Sequence, residues 1–154
     1  TYKKRIRHLM AVTYKTNWEY ILTALKSKIK AEFKCPVFSN FNELNKATHF
    51  IKLIPTGSTQ GDVTKFSEHR TFDIDIHYYI MNRKDAQFEN YVLRQANMLE
   101  ALIHDNPTLT LSDSTTAYNL RIGDLEFNLE PDDDYENYFV LGWSFSCEHL
   151  SNLG

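Results

Sequence analysis

Asp73, Asp75 and His77 stand at i, i+2 and i+4 in the run Thr71-Phe72-Asp73-Ile74-Asp75-Ile76-His77. Two carboxylates and an imidazole are the ligand types of a divalent metal site, and such a site would make a small metal-dependent enzyme. The alternation with Phe72, Ile74 and Ile76 places the three on one face of a strand. Same-face neighbours there stand about 7 Å apart, too far for three in a row to close around one ion. The simpler reading is the polar face of a half-exposed strand.

Other patterns fall short of chemistry. Asp132, Asp134 and Glu136 suggest a calcium loop, but Asn137 and Trp143 occupy the positions where an EF-hand needs Gly and Glu, so an acidic turn is expected. Gly57 and Gly61 flank a loop in which Asp62 stands where a phosphate loop needs Lys. Gly142-Trp143-Ser144-Phe145-Ser146 resembles the start of a nucleophile elbow, yet the closing Gly is absent and the segment continues as a strand. The histidines at 8, 49, 69, 77, 104 and 149 form no metal spacing and read as scattered surface residues. No catalytic residue, cofactor-binding residue or metal ligand is expected, and no cofactor.

Cys35 and Cys147 make no CxxC and no disulfide framework. A single bridge between them is open. Cys147 on an apolar strand face reads as a small buried hydrophobe, and reduced thiols suit assembly in a cytoplasm.

With 154 residues, 42% hydrophobic and 24% charged, the composition is that of a globular protein. The longest uncharged apolar-rich run, Asn137 to Cys147, is 11 residues, where a membrane span needs about 20. No membrane partner and no secretory signal is expected. Net charge is -3 but segregated. Residues 1–34 hold nine Lys and Arg against Glu19 and Glu32, and from Asp105 onward ten acids face one base, Arg121. A basic end and an acidic body favour complementary contacts.

Residues 1–15 read as a basic arm and 16–154 as a single α+β domain. Thr16 and Glu19 suggest a capping box opening a helix whose apolar stripe is Trp18, Ile21, Leu22, Leu25, Ile29 and Phe33, ended by Pro36. Residues 37–47 hold a short strand or turn. Thr48 to Ile54 is a strand stopped by Pro55, and Thr56 to Asp62 is the most loop-like stretch. Arg70 to Met81 alternates as a half-buried strand. Phe88, Tyr91, Val92, Gln95, Ala96, Leu99, Leu102 and Ile103 make a second helical stripe. Residues 108–116 are a polar connector with room for an edge strand. Tyr118 to Leu129 is two short strands or one bulged strand, and Tyr138 to Glu148 is the last. A mixed, mostly antiparallel sheet with two amphipathic helices on one face fits this order. The aromatic residues Tyr118, Phe127, Tyr135, Tyr138, Phe139, Trp143 and Phe145 serve packing, an interface or both. The small second face Tyr138, Val140, Gly142, Ser144 and Ser146 would let another surface approach.

The helix N-W-E-Y-I-L-T-A-L-K-S-K-I-K-A-E-F, the strand ending F-I-K-L-I-P, the alternating T-F-D-I-D-I-H-Y-Y-I and the closing Y-F-V-L-G-W-S-F-S-C-E resemble, in that layout, phage tail terminator proteins. The resemblance runs from about Asn17 to Leu150. It implies a virion tail protein without catalysis that assembles with copies of itself as a ring, usually a hexamer. Its partners would be the tail-tube protein, whose polymerisation it stops, and a neck, head-completion or connector protein. DNA would only pass through the bore, which acidic subunits would not grip. The arm 1–15 and the stretch Thr56–Ser67 are candidate contact segments. The rivals are a head–tail joining protein of similar architecture, the metal-dependent enzyme using Asp73, Asp75 and His77, and a nucleic-acid adaptor working through the basic arm.

Overall fold

The computed structural model describes residues 14–39, 47–129 and 135–152. Most of the arm and the acids Asp132 and Asp134 lie outside the described residues. The fold is α+β: a mixed six-stranded sheet with two helices. In chain order the elements are α1 (Asn17–Phe33), β1 (Val37–Phe38), β2 (His49–Val63), β3 (Ser67–Met81), α2 (Phe88–Asp105), β4 (Leu109–Thr110), β5 (Thr116–Glu126) and β6 (Tyr138–Asn152). Across the sheet they run β1-β2-β3-β6-β5-β4. The β1–β2 pair is parallel and every other neighbouring pair antiparallel.

β2, β3 and β6 form the backbone of the sheet, each 15 residues long. β3 lies at the centre, paired along its whole length with β6 and along most of it with β2. Its period-two pattern sends Phe72, Ile74, Ile76, Tyr78 and Ile80 into one apolar cluster. Ile51 and Leu53 of β2, and Leu141, Trp143, Phe145 and Cys147 of β6, join them. Ile21, Leu25 and Ile29 of α1 and Val92, Ala96, Leu99 and Ile103 of α2 belong to the same cluster. Burying each of these large side chains is worth about 1.5–3 kcal/mol, which is what holds the helices to the sheet. Edge-to-face ring pairs fix α1 along β3, with Trp18 on Phe72 at 4.8 Å and Phe33 on Tyr78 at 5.4 Å. Lys28 Nζ donates to Asn106 Oδ1 at 3.3 Å and ties α1 to the end of α2.

Three local expectations are corrected. Thr16, with φ -86° and ψ 58°, makes no side-chain cap hydrogen bond; its carbonyl accepts from Tyr20 N–H at 3.0 Å. α1 ends on Lys34 in the left-handed region (φ 54°), whose N–H returns to the Lys30 carbonyl, before Pro36 can act. The expected loop Thr56–Asp62 is strand. β2 continues through Pro55 and Gly57 to Val63 with two register shifts, so the chain reverses only at 64–66. Pro55 is tolerated because β1 covers only Ile51 and Lys52, leaving β2 an edge strand where a missing N–H breaks no ladder bond.

The Tyr118–Leu129 alternatives resolve to one bulged strand, β5, with register shifts on either side of Arg121 and Ile122 and Asn119 at φ 54°. Leu109–Thr110 is the edge strand in the polar connector. Among the described residues no helix is long and apolar enough to cross a membrane.

Candidate functional site

Asp73, Asp75 and His77 lie on the sheet face turned away from the apolar cluster that holds the helices. Directly opposite them, β6 places Ser146, Ser144 and Gly142, and β2 places Gly57, Ile54 and Lys52. β5 adds Arg121 opposite Ser146 and Glu126 opposite Gly142. The strand spacing keeps the three candidates apart, and among the described residues no group of three or more His, Cys, Asp and Glu could hold a metal ion. The metal-dependent alternative therefore has no assembled ligand set. His77 is held below the ordinary imidazole range, chiefly by burial, with Lys52 acting the same way and the Asp75 and Glu126 carboxylates opposing.

This second face has two halves. In one, Phe50, Tyr79, Tyr135, Tyr138 and Val140 form a separate aromatic cluster. Phe50 and Tyr79 are cross-strand partners and stack at 4.6 Å with planes 7° apart. Past the end of β5, Leu129 N–H donates to the Val140 carbonyl at 2.9 Å, and the Leu129 side chain packs against this cluster. Leu129 lies close over Gly142, where an added Cβ would meet Leu129 Cδ1 at 2.2 Å and the leucine side chain would have to shift. Lys52 sits among the rings, its Nζ 4.5 Å from the Tyr135 ring centre and 3.2 Å from the Tyr135 hydroxyl oxygen, to which it donates. A cation over ring faces in a partly desolvated site gains about 1–2 kcal/mol.

The other half is open. Ser144 and Glu126 are exposed, and Asp73, Asp75 and Ser146 half-buried. At its far end His69 Nε2 lies 2.8 Å from Glu148 Oε1, and Asn119 Nδ2 also donates to Glu148. These bonds hold the Glu148 carboxyl below its usual range, the Asn119 contact most strongly. Tyr118 (37% exposed) and Leu150 (54%) leave apolar surface there.

A cleft of about 480 Å³ opens beside the start of α1, with Trp18, Phe72, Arg70, Asn17 and His149 among its walls. His149 is 1% exposed, not a surface residue as expected. Its Nε2 meets Thr115 Oγ1 at 2.9 Å, and that hydroxyl donates to Asp113 Oδ1 at 2.6 Å. Burial lowers its pKa, against the Asp113 charge. His49 (2.8 Å from the Tyr91 hydroxyl), His69 and His77 are half-buried as well, so of the described histidines only His104 fits the surface reading.

Both cysteines are buried free thiols. Burial pushes Cys35 up to about 11 and Cys147 to about 12, which leaves both protonated and unreactive at neutral pH. The aromatic third of the chain is divided. Trp143 and Phe145 belong to the helix-side cluster, Tyr135 and Tyr138 to the second cluster, Phe139 packs on Phe88, and Tyr118 and Phe127 are exposed. Lys52 and Leu129 were not singled out in the sequence. The only trace of their roles is the Phe50 and Tyr79 pair, which alternation alone could have placed face to face.

No family model and no curated protein matches the sequence. Solved structures do. The sheath/tube terminator of PVC, an extracellular contractile injection system, matches over 94% of this chain with a TM-score of 0.56 at 10% identity. The two share a fold. The chain spans 58% of that terminator's length. A second solved chain, 12% identical and covering 85% of this one, reaches a TM-score of only 0.47.

Proposed function

We propose that the protein is a tail terminator subunit: a virion tail protein that acts by binding and not by catalysis. In this reading copies of the chain close into a ring, sixfold in the manner of such caps, on the end of the tail tube. The ring stops tube polymerisation and offers its outer surface to a neck or head-completion protein. Assembly takes place in the host cytoplasm, and DNA passes through a bore that acidic subunits do not grip. Residues 16–154 act as one domain with both helices on the same side of the sheet, and the basic arm 1–15 orders on a partner.

The observation that carries this reading is the fold shared with a sheath/tube terminator along nearly the whole chain. A second support is the open, small-residue half of the sheet face, which has the shape of a contact surface and lacks an assembled reaction centre. The test is light scattering and negative-stain imaging of the protein alone and mixed with tail-tube protein. Rings on tube ends, with elongation arrested, are expected. A protein that ignores tubes and binds a portal or adaptor instead overturns the reading in favour of a head–tail joining protein.

A further inference from the structure

The structure points to a specific contact between copies, one that rests on the ring reading and goes beyond it. We propose that the solvent side of α1 in one copy docks on the open half of the β2–β3–β6–β5 face of the next. The two surfaces lie on opposite sides of one molecule, so a chain cannot satisfy its own pair. A contact of this kind is head-to-tail, and it propagates until rotation closes it.

Three observations favour a second copy as the occupant. The first is charge. The open face carries Asp73, Asp75 and Glu126, with Glu148 at its far end, against Arg121. The solvent side of α1 carries Lys30 and Lys34, both exposed, with Lys26 on its flank, against the exposed Glu19 in its first turn. Facing patches of opposite sign set register and exclude wrong partners.

The second is shape. The buried stripe of α1 is Ile21, Leu25 and Ile29, and the opposite side presents exposed Thr23, Ser27 and Ala31 in a row. Small side chains on the helix meet small side chains on the sheet, Ser144 and Ser146, so the two backbones can approach closely. The third is size. At about 1.5 Å per residue α1 is roughly 25 Å long. The open strip of β3 from His69 to Asp75 is about 20 Å long, room for the turns of α1 that carry Thr23, Ser27 and Ala31, and the four strands are about 14 Å across. One helix, about 10 Å wide, fits that strip. Tyr118 and Leu150 at its end supply the apolar rim that polar contact alone lacks.

The test is a charge exchange read by light scattering and sedimentation of the full chain. The double variants Lys30→Glu with Lys34→Glu, and Asp73→Lys with Asp75→Lys, are each made alone, combined in one chain, and mixed one to one. Circular dichroism and a urea midpoint show that each folds. Each double variant alone is expected to raise the concentration for half-assembly roughly a hundredfold. The combined chain and the mixture are expected to recover wild-type assembly, since in both every acidic helix meets a basic face or the reverse. Double variants that assemble like wild type, or losses that neither exchange restores, overturn this contact and leave the ring standing. A wild type that stays monomeric alone also overturns it, and the ring reading is then decided separately by the tube-capping assay.

Discussion

The two faces of β3 share one backbone and one set of hydrogen-bonded neighbours, yet they behave as different materials. On one, Phe72, Ile74, Ile76, Tyr78 and Ile80 are buried in one cluster with apolar residues of both helices. On the other, Asp73 and Asp75 stand half-buried in a polar strip, while Tyr79 is buried in the aromatic cluster with Tyr135. The difference does not come from the strand, whose alternation is uniform. It comes from what the rest of the chain lays over each face. A face becomes core where helix residues pack into it, an aromatic patch where Leu129 and Tyr135 pack on it, and an open polar strip where, among the described residues, neither does.

The sharpest way to break this comparison is to empty the helix-covered side. Trp143 is among the largest fully buried side chains and sits opposite Ile76. Trp143→Ala is expected to lower the unfolding free energy by about 3–5 kcal/mol in urea titration, the usual loss for a large aromatic plus the cavity it leaves. A loss under about 1 kcal/mol would mean that the helices do not seal that face.

The aromatic half of the second face should respond less. Lys52→Met keeps the stem but removes the ammonium from the rings and from the Tyr135 hydroxyl, at an expected cost of about 1–2 kcal/mol. Lys52→Arg should restore most of it, because a guanidinium also stacks on rings. If Met and Arg behave alike, the charge contributes nothing and the half is held by ring packing alone.

How far these differences were legible depends on distance along the chain. The alternation of β3 displayed both of its faces, and the spacing of Ile21, Leu25 and Ile29 displayed the buried side of α1, because a local period encodes each. Pro55 and Gly57 misled for a tertiary reason: they stop a central strand but not an edge, and only the two-residue length of β1 makes β2 an edge there. The surroundings of Lys52 could not be read, since Tyr135 lies 83 residues away. His149 was hidden in the same way, its burial depending on Thr115 and on the start of α1. In the candidate site, the line Asp73–Asp75–His77 was visible as a face, and its openness was not, because openness depends on where Leu129 and Tyr135 come to rest.

Acid should sharpen the comparison with one histidine on each side. His77 on the second face and His149 on the other are both held by burial below the ordinary imidazole value of 6.5, as is His49. The unfolded chain therefore takes up these protons first. The stability contributed by the neutral rings is fully present above pH 6.5 and is lost as pH falls through the lowered folded values. The carboxyls of Asp113 and Glu148 are depressed too, but their contribution disappears only further into acid. Urea midpoints should thus begin to fall just below pH 6.5, and His149→Gln should flatten part of that fall. A midpoint constant down to pH 5 would show that burial does not oppose protonation at either site.

The smallest effect belongs to the open half. Asp75→Asn and Ser144→Ala remove polar groups whose neighbours remain hydrated, so each should change the unfolding free energy by less than about 0.5 kcal/mol. That near-silence is itself informative when set beside assembly. A residue that costs nothing to the fold but weakens association between copies is occupied by a partner and not by its own chain. If either substitution instead destabilises the fold by more than about 1 kcal/mol, the strip is already covered from within the molecule. It would then belong with the aromatic half, and the division of the second face would have to be redrawn.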